Sequence, residues 1–342
     1  MSSKKVTVAQ IGVGRWGANV ARNIAKMRCA RLVSVCDSKI CLAERAAREW
    51  NVRVESDIGR VLADKTVDAV VIATPAGRHF EHTMAALDAG KHVFVEKPMA
   101  ESVIEAKLLT ERADALDLKL MVGHIFLYSD AVRNVKDHID AGELGDIHRI
   151  CCRRLNLGRV RDDSDVLWTL GPHDVAIVNY WLGESPSRVS ARGLSYMRGR
   201  SNGPEVCYAE AEFPGGSRAY IHLSWIDSLK VRQMAVVGSE KTLIYDDMAT
   251  DRRIRIVDKR TENENPVPAS DAFEVLLSAR DSDILVPEIE QREPLAVEIE
   301  HFIDCIIDDT RPFTDGRHGT EVVAVLEAMS TSINQDGKKI AL

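Results

Sequence analysis

The chain has 342 residues, 45% of them apolar and 28% charged. That length and balance predict two domains with real cores and exclude collagen-like, disordered and disulfide-scaffold classes. Its 45 lysines and arginines against 52 aspartates and glutamates leave a net charge of −7, so neither nucleic acid nor an anionic membrane surface is an expected partner.

From Val6 to Gly123, short β-branched runs alternate with amphipathic segments, the pattern of β-α-β units on a parallel sheet. Strands are predicted at Val6–Ile11, Leu32–Cys36, Val52–Val54, Ala69–Ala73, His92–Val95 and Leu120–Val122. Helices are predicted between them at Ala18–Lys26, Lys39–Trp50, His79–Ala89 and Ser102–Leu116, from apolar residues three and four apart. The run Ala69-Val-Val-Ile-Ala is apolar on both faces, as a central strand covered on each side would be. After Gly123 the rhythm changes. Helices at Ala131–Ala141 and Asp174–Leu182 accompany strands at Ile147–Leu155, Arg188–Leu194, Val206–Phe213, Arg218–Trp225, Gln233–Val237, Thr242–Asp246 and Ile254–Val257. Serial strands, two of them joined by Pro214-Gly215-Gly216, predict a second domain on a mostly antiparallel sheet. Residues Thr261 to Pro268 read as an exposed loop, and helices at Leu295–Asp308 and Gly319–Asn334 close the chain. The expected fold class is therefore α/β. A doubly wound Rossmann domain spans residues 1–123, and a substrate and oligomerisation domain spans 124–342, with terminal helices able to pack back on the first.

Gly12-Val13-Gly14-Arg15-Trp16-Gly17 follows the first strand and opens a helix, and Asp37 lies 20 residues past Gly17 at the end of the second strand. This is the dinucleotide fingerprint in its required context. Gly12 permits the tight turn, Gly14 clears a path for pyrophosphate, and Gly17 lets helix and strand pack closely. Asp37 would accept from ribose hydroxyls and repel a 2′-phosphate, which favours NAD over NADP; Lys39 tempers that preference. Thr74-Pro75, after the central strand, falls at the expected switch point, as cofactor contact or as an ordinary turn.

The segment Val67-Asp-Ala-Val-Val-Ile-Ala-Thr-Pro-Ala-Gly-Arg-His-Phe, followed by Ala89-Gly-Lys-His-Val-Phe-Val-Glu96-Lys97-Pro98, resembles the Gfo/Idh/MocA oxidoreductases. The resemblance extends over essentially the whole chain. Within the family, Val122-Gly-His-Ile-Phe-Leu-Tyr, Gly142-Glu-Leu-Gly-Asp-Ile, Arg154-Leu-Asn-Leu-Gly-Arg, Val166-Leu-Trp-Thr-Leu-Gly-Pro-His-Asp and Ser224-Trp-Ile-Asp-Ser-Leu-Lys-Val-Arg resemble bacterial nucleotide-sugar 3-dehydrogenases, UDP-N-acetylglucosamine 3-dehydrogenase among them. The resemblance implies an NAD-dependent enzyme that oxidises a secondary alcohol, with C3 of a UDP-linked N-acetylhexosamine as substrate. Inositol or a free sugar is the alternative substrate, and a non-catalytic NAD-binding regulator is the alternative of another class.

Oxidation of a secondary alcohol needs a base for the hydroxyl proton and a donor for the charged oxygen. The resemblance implies these roles for Lys97 and His173. Lys97 could instead be a solvated surface lysine, and His173 a buried structural histidine. The family pattern D-x-G-x-H reads Thr169-Leu-Gly171-Pro-His173 here, with threonine in place of aspartate. Asp174 next to it is placed as a helix N-cap. Cofactor contacts are expected from Gly12, Gly14, Arg15, Trp16, Gly17, Asp37, Thr74, Pro75, His79, Glu96 and Lys97. Substrate contacts are expected from Asn156, Thr169, His124 and Tyr128, the last two where the chain crosses between domains. Arg159 and Arg161, in a stretch of four cations with Arg153 and Arg154, could hold a pyrophosphate or uronate, or be solvated or paired with Asp162 and Asp163.

Seven cysteines, with Cys151 and Cys152 adjacent and no C-x-x-C spacing, fit neither a disulfide framework nor a zinc ribbon. Reduced thiols in a cytosol are expected, and no metal site. No secretory signal and no apolar run of about 18 residues is evident. The expected assembly is a homodimer or homotetramer.

Overall fold

A computed structural model describes residues 5–158, 164–196, 203–258, 284–287, 289–290 and 292–342. Its contacts divide the chain into two units, Met1–Ser129 with Arg292–Glu327, and Asp130–Gln291 with Ala328–Leu342. Among the described residues no helix is long and apolar enough to cross a membrane.

Among the described residues the first unit is built on six strands: β1 (Val6–Ile11), β2 (Ala30–Cys36), β3 (Arg53–Glu55), β4 (Ala69–Ile72), β5 (His92–Glu96) and β6 (Leu120–Gly123). They lie in the order β3-β2-β1-β4-β5-β6, and every neighbouring pair is parallel. This is the doubly wound arrangement, whose direction of winding reverses between β1 and β4. The four residues of β4 are wholly buried, as their apolar run requires of a central strand. The crossover helices are α1 (Gly17–Lys26), α2 (Ile40–Trp50), α3 (Ile58–Ala63), α4 (His79–Asp88) and α5 (Val103–Ala115). Helix α5 starts where Ser102 Oγ accepts the amide of Glu105 at 3.3 Å, the two residues forming the S-x-x-E signature of a helix start. Helix α3, which the apolar spacing did not reveal, is a single short element capped by Asp57, whose Oδ1 accepts from the Gly59 amide at 2.8 Å.

Among the described residues the second unit carries nine strands: β7 (Ile147–Leu157), β8 (Arg188–Leu194), β9 (Val206–Glu212), β10 (Arg218–Ser224), β11 (Ile226–Gly238), β12 (Lys241–Asp246), β13 (Ile254–Asp258), β14 (Ile284–Leu285) and β15 (Ile340–Ala341). Their order is β14-β13-β12-β11-β7-β10-β9-β8-β15, and all pairs are antiparallel except β7 with β10. The turn at Gly216, with φ of 90°, joins β9 to β10 as expected. Strand β11 starts seven residues earlier than its alternating pattern indicates. Its register against β7 is irregular between Ile226 and Val231, so alternation is lost there. The predicted loop at 261–268 lies outside the described residues.

Helices α6 (Asp130–Asp140) and α7 (Val166–Leu182) pack against this sheet. Along β10, Ala219, Ile221 and Leu223 are buried while Arg218 and Tyr220 are exposed, so one face is covered and the other open. Trp181 of α7 anchors the covered layer: it is fully buried, its indole donates to Val132 O of α6 at 2.9 Å, and its ring meets Tyr245 edge-on at 6.2 Å. Trp181→Ala removes that volume and orphans a carbonyl. A loss of about 3–5 kcal/mol of stability is expected on urea unfolding, and a loss below about 1 kcal/mol would contradict the assigned packing.

Candidate active site

The glycine turn of the first unit is dictated by crowding. Gly12 has φ of 90°, and a Cβ there would stand 2.5 Å from Ala73 O at the end of β4. A Cβ on Gly17 would stand 2.2 Å from Gly12 O. Gly14 is different: a Cβ there would meet nothing within 4 Å. The first and third glycines are thus needed by the fold, and the middle one leaves open space in front of the helix start, where a pyrophosphate fits. Gln10, a buried polar residue of β1, braces the turn. Its Nε2 donates to Gly12 O at 2.9 Å and Gly17 O at 2.6 Å. No ligand motif names this residue; a buried amide at the end of β1 was the available signal.

Asp37, at the end of β2, accepts the Val13 amide on Oδ2 and the Lys39 amide on Oδ1, both at 2.9 Å. The carboxylate is thereby fixed beside the glycine turn and remains half-buried, with lone pairs left for ribose hydroxyls. Arg15 is exposed, and Trp16 is 42% exposed with its indole N–H donated to Glu96 Oε1 at the end of β5. That bond ties the glycine turn to the strand that carries Lys97. Lys97 itself is half-buried and is followed by a cis peptide to Pro98. Pro75 is exposed, and Thr74 Oγ1 lies 3.3 Å from His82 Nδ1.

Four of the residues expected at the site are buried. His79 is buried, with Nδ1 2.7 Å from Pro98 O and Nε2 2.9 Å from Thr74 O, so it binds the loops after β4 and β5 to each other. Burial pushes its pKa down, against the two carbonyls, and the neutral ring donates to one of them at a time. Glu96 is buried and engaged by Trp16, so it shapes the turn from behind. Tyr128 is fully buried, its hydroxyl 3.1 Å from Thr314 Oγ1. His124 is buried as well, its ring edge-on to His318 at 5.0 Å, and burial, then His318 and Lys97, hold it well below the usual histidine range. His318, which the sequence did not flag, is pushed down to about 4 by burial. Both rings are therefore neutral at pH 7.

In the second unit α7 presents the catalytic candidates. It begins at Val166, capped by Asp165, whose Oδ1 accepts the Trp168 amide at 2.9 Å. Asp174 is therefore no N-cap. It sits inside the helix, 1% exposed, and its Oδ1 accepts from Arg154 Nε at 3.0 Å and Nη2 at 2.7 Å. This buried pair locks β7 to α7. Proline at 172 lacks the amide that would bond Trp168 O, which is why a helix start after it was the natural reading. Thr169 and His173, four residues apart, share one face of α7, and both are half-buried. Thr169 Oγ1 donates to Ser164 Oγ at 3.1 Å. On β7, Asn156 shares a face with Arg154, and its buried Oδ1 has no partner among the described residues. Arg159 and Arg161 lie outside the described residues.

Residues 6–124 match the family model described as an oxidoreductase family with an NAD-binding Rossmann fold, and residues 132–244 match the GFO/IDH/MocA C-terminal domain. The scyllo-inositol 2-dehydrogenase (NAD(+)) of Bacillus subtilis strain 168 is 26% identical over 323 residues, 90% of this chain and 88% of its own length. The UDP-N-acetylglucosamine 3-dehydrogenase of Acidithiobacillus ferrooxidans is 27% identical over 315 residues, 92% of this chain and 93% of its own length. The crystal structure of the WlbA dehydrogenase from Bordetella pertussis in complex with NADH and UDP-GlcNAcA superposes with a TM-score of 0.82, at 23% identity, over 100% of this chain and 99% of that one. That last likeness is one of fold.

The glycines separate folding from binding. Gly14→Ala should leave the melting temperature unchanged and weaken NAD at least about tenfold, because the methyl enters the pyrophosphate path. Gly17→Ala should lower the melting temperature outright. Thermal scans and NAD titration of both variants decide this, and unweakened NAD binding by Gly14→Ala would refute the placement.

Proposed function

The chain belongs to the Gfo/Idh/MocA family of NAD-dependent sugar and polyol dehydrogenases, and from that premise we propose that it oxidises C3 of a UDP-linked N-acetylhexosamine. The observation that carries the substrate class is the likeness to UDP-N-acetylglucosamine 3-dehydrogenase, which spans nine-tenths of both chains. Inositol is the second reading, supported by an equally long likeness to scyllo-inositol 2-dehydrogenase.

NAD is held by Gly12, Gly14 and Gly17, by the amides that open α1, and by Asp37, and when bound it supplies the hydride acceptor. Its 2′-phosphorylated form is disfavoured by the fixed carboxylate of Asp37. The chain's own residues manage the hydroxyl. His173 takes the carbinol proton as the C–H bond breaks, and the Lys97 ammonium donates a hydrogen bond to the same oxygen as it becomes a carbonyl. Asp174 and Arg154 keep α7 in register on β7, so the His173 ring is presented from a rigid helix face. Thr169 stands where the family pattern has aspartate; its hydroxyl leaves His173 without a carboxylate four residues before it on the same helix face. Asn156 offers its unpartnered Oδ1 to a sugar hydroxyl.

We place the enzyme in the cytosol, where dispersed thiols stay reduced, as a homodimer or homotetramer. The open sheet face supports assembly, since Tyr208 and Tyr220 are 49% and 42% exposed and Tyr208 stacks on His222 at 4.3 Å.

Purified protein is mixed with NAD and UDP-sugars, free sugars and inositols, with a carbonyl trap to pull the equilibrium. Turnover of a UDP-N-acetylhexosamine is expected; turnover of inositol alone transfers the assignment to the second reading, and NAD binding with no turnover indicates a regulator. Lys97→Ala and His173→Ala should each lower kcat by about a hundredfold or more with NAD affinity kept. Two fully active variants would refute the roles. Light scattering should give a dimer or larger, and Tyr220→Glu should weaken it.

A further inference from the structure

The helix α8 (Pro294–Ile307), which belongs to the first unit, buries a carboxyl group that the chemistry above does not use. Glu298 is fully buried, and neither of its carboxyl oxygens has a hydrogen-bond partner among the described residues. Packing brings it toward Glu96. Phe302, one turn on from Glu298 and on the same face of α8, meets the ring of Phe94 at 5.9 Å. Phe94 in turn shares a face of β5 with Glu96. A Cβ built on Gly123 would stand 3.1 Å from both the Phe94 ring and Glu96 Oε2, so ring and carboxyl crowd one spot.

Burial pushes Glu298 far above the usual carboxyl range, and the nearby Glu96 adds to it. Burial raises Glu96 too, against the Trp16 N–H and Lys97, which favour its charged form. Among the other groups on elements packed against α8, Arg22 Nε of α1 is buried with no hydrogen-bond partner among the described residues. Arg22 and Asn23 of α1 both bind Glu293 Oε1, residues 125–128 carry no charge, and His124 before them is neutral. Gln10 of β1 gives its Nε2 to two carbonyls, while its buried Oε1 has no partner.

We propose that Glu298 is a positioning residue for the glycine turn: it carries a proton at neutral pH, and as a neutral acid it leaves Glu96 as the single carboxylate that holds the Trp16 indole. Two carboxyls in one buried volume retain a proton, because ionising both costs more than protonating one. Ionised, Glu298 would place a second negative charge behind Glu96, loosen the hold on Trp16 and oppose a pyrophosphate. The proposal concerns NAD binding and does not depend on which alcohol is oxidised.

The full chain is compared with Glu298→Gln, an uncharged isostere. The folded state holds a proton that the unfolded chain releases above the ordinary carboxyl value, so stability drains as pH rises. Relative to the glutamine variant, the wild-type folding equilibrium should fall about tenfold per pH unit for as long as Glu298 keeps its proton. The wild-type infrared spectrum at pH 7 should show the carbonyl band of a protonated carboxylic acid, which fades on alkalinisation and needs no folded variant to be read. The NAD dissociation constant should rise with pH in wild type over the range in which that band fades, and stay flat in Glu298→Gln. Absence of the band, or parallel stability curves, would overturn the proton. An NAD affinity with the same pH dependence in both proteins would overturn the positioning role.

Discussion

The rest of the first unit depends on a close approach of backbone to backbone where the sheet reverses its winding. Gly12 lies so near Ala73 O that any side chain would collide, and Gly17 lies as near Gly12 O. Removing side chains there makes the turn possible and exposes the amides that open α1 as an anion site. Polar side chains then hold the turn in place. Gln10 braces it from below, Asp37 from the side, and the Trp16 indole reaches Glu96 at the end of β5, one residue before Lys97. The cofactor turn and Lys97 are therefore parts of one hydrogen-bonded body, which is what a precise site needs from a scaffold.

Buried charge is used differently in the second unit. Arg154 and Asp174 are both nearly inaccessible, and their desolvation is offset by two hydrogen bonds to one carboxylate oxygen. Such a pair contributes little net stability compared with apolar residues of similar volume, but breaking it is costly, so it fixes register well. The register it fixes is that of α7 on β7, and His173 immediately precedes Asp174 on that helix.

What was legible in the sequence was local. The glycine loop, Asp37 and Glu96-Lys97-Pro98 are contiguous signals whose context, strand before and helix after, is itself readable. The two sheets followed from apolar spacing. Orientation is not legible: the side chains of His79, Glu96 and Tyr128 turn inward to carbonyls, an indole and a hydroxyl, and that of His124 meets the His318 ring. Position at a strand's end does not say which way a side chain points. The start of α7 was misplaced because Pro172 reads as a helix boundary, whereas Asp165 caps the helix seven residues before it. Glu298 carried no signal at all, since a carboxylate on an amphipathic helix reads as solvated until its neighbours are known.

The fold holds NAD to take hydride from a secondary alcohol. The most direct measurement uses substrate deuterated at the carbon that bears the hydroxyl, with the reduced nicotinamide recovered and examined by mass spectrometry and NMR. Direct transfer predicts one deuterium at the nicotinamide C4, on a single face, with none lost to solvent. Reduced cofactor without deuterium, or deuterium washed out into water, would contradict it.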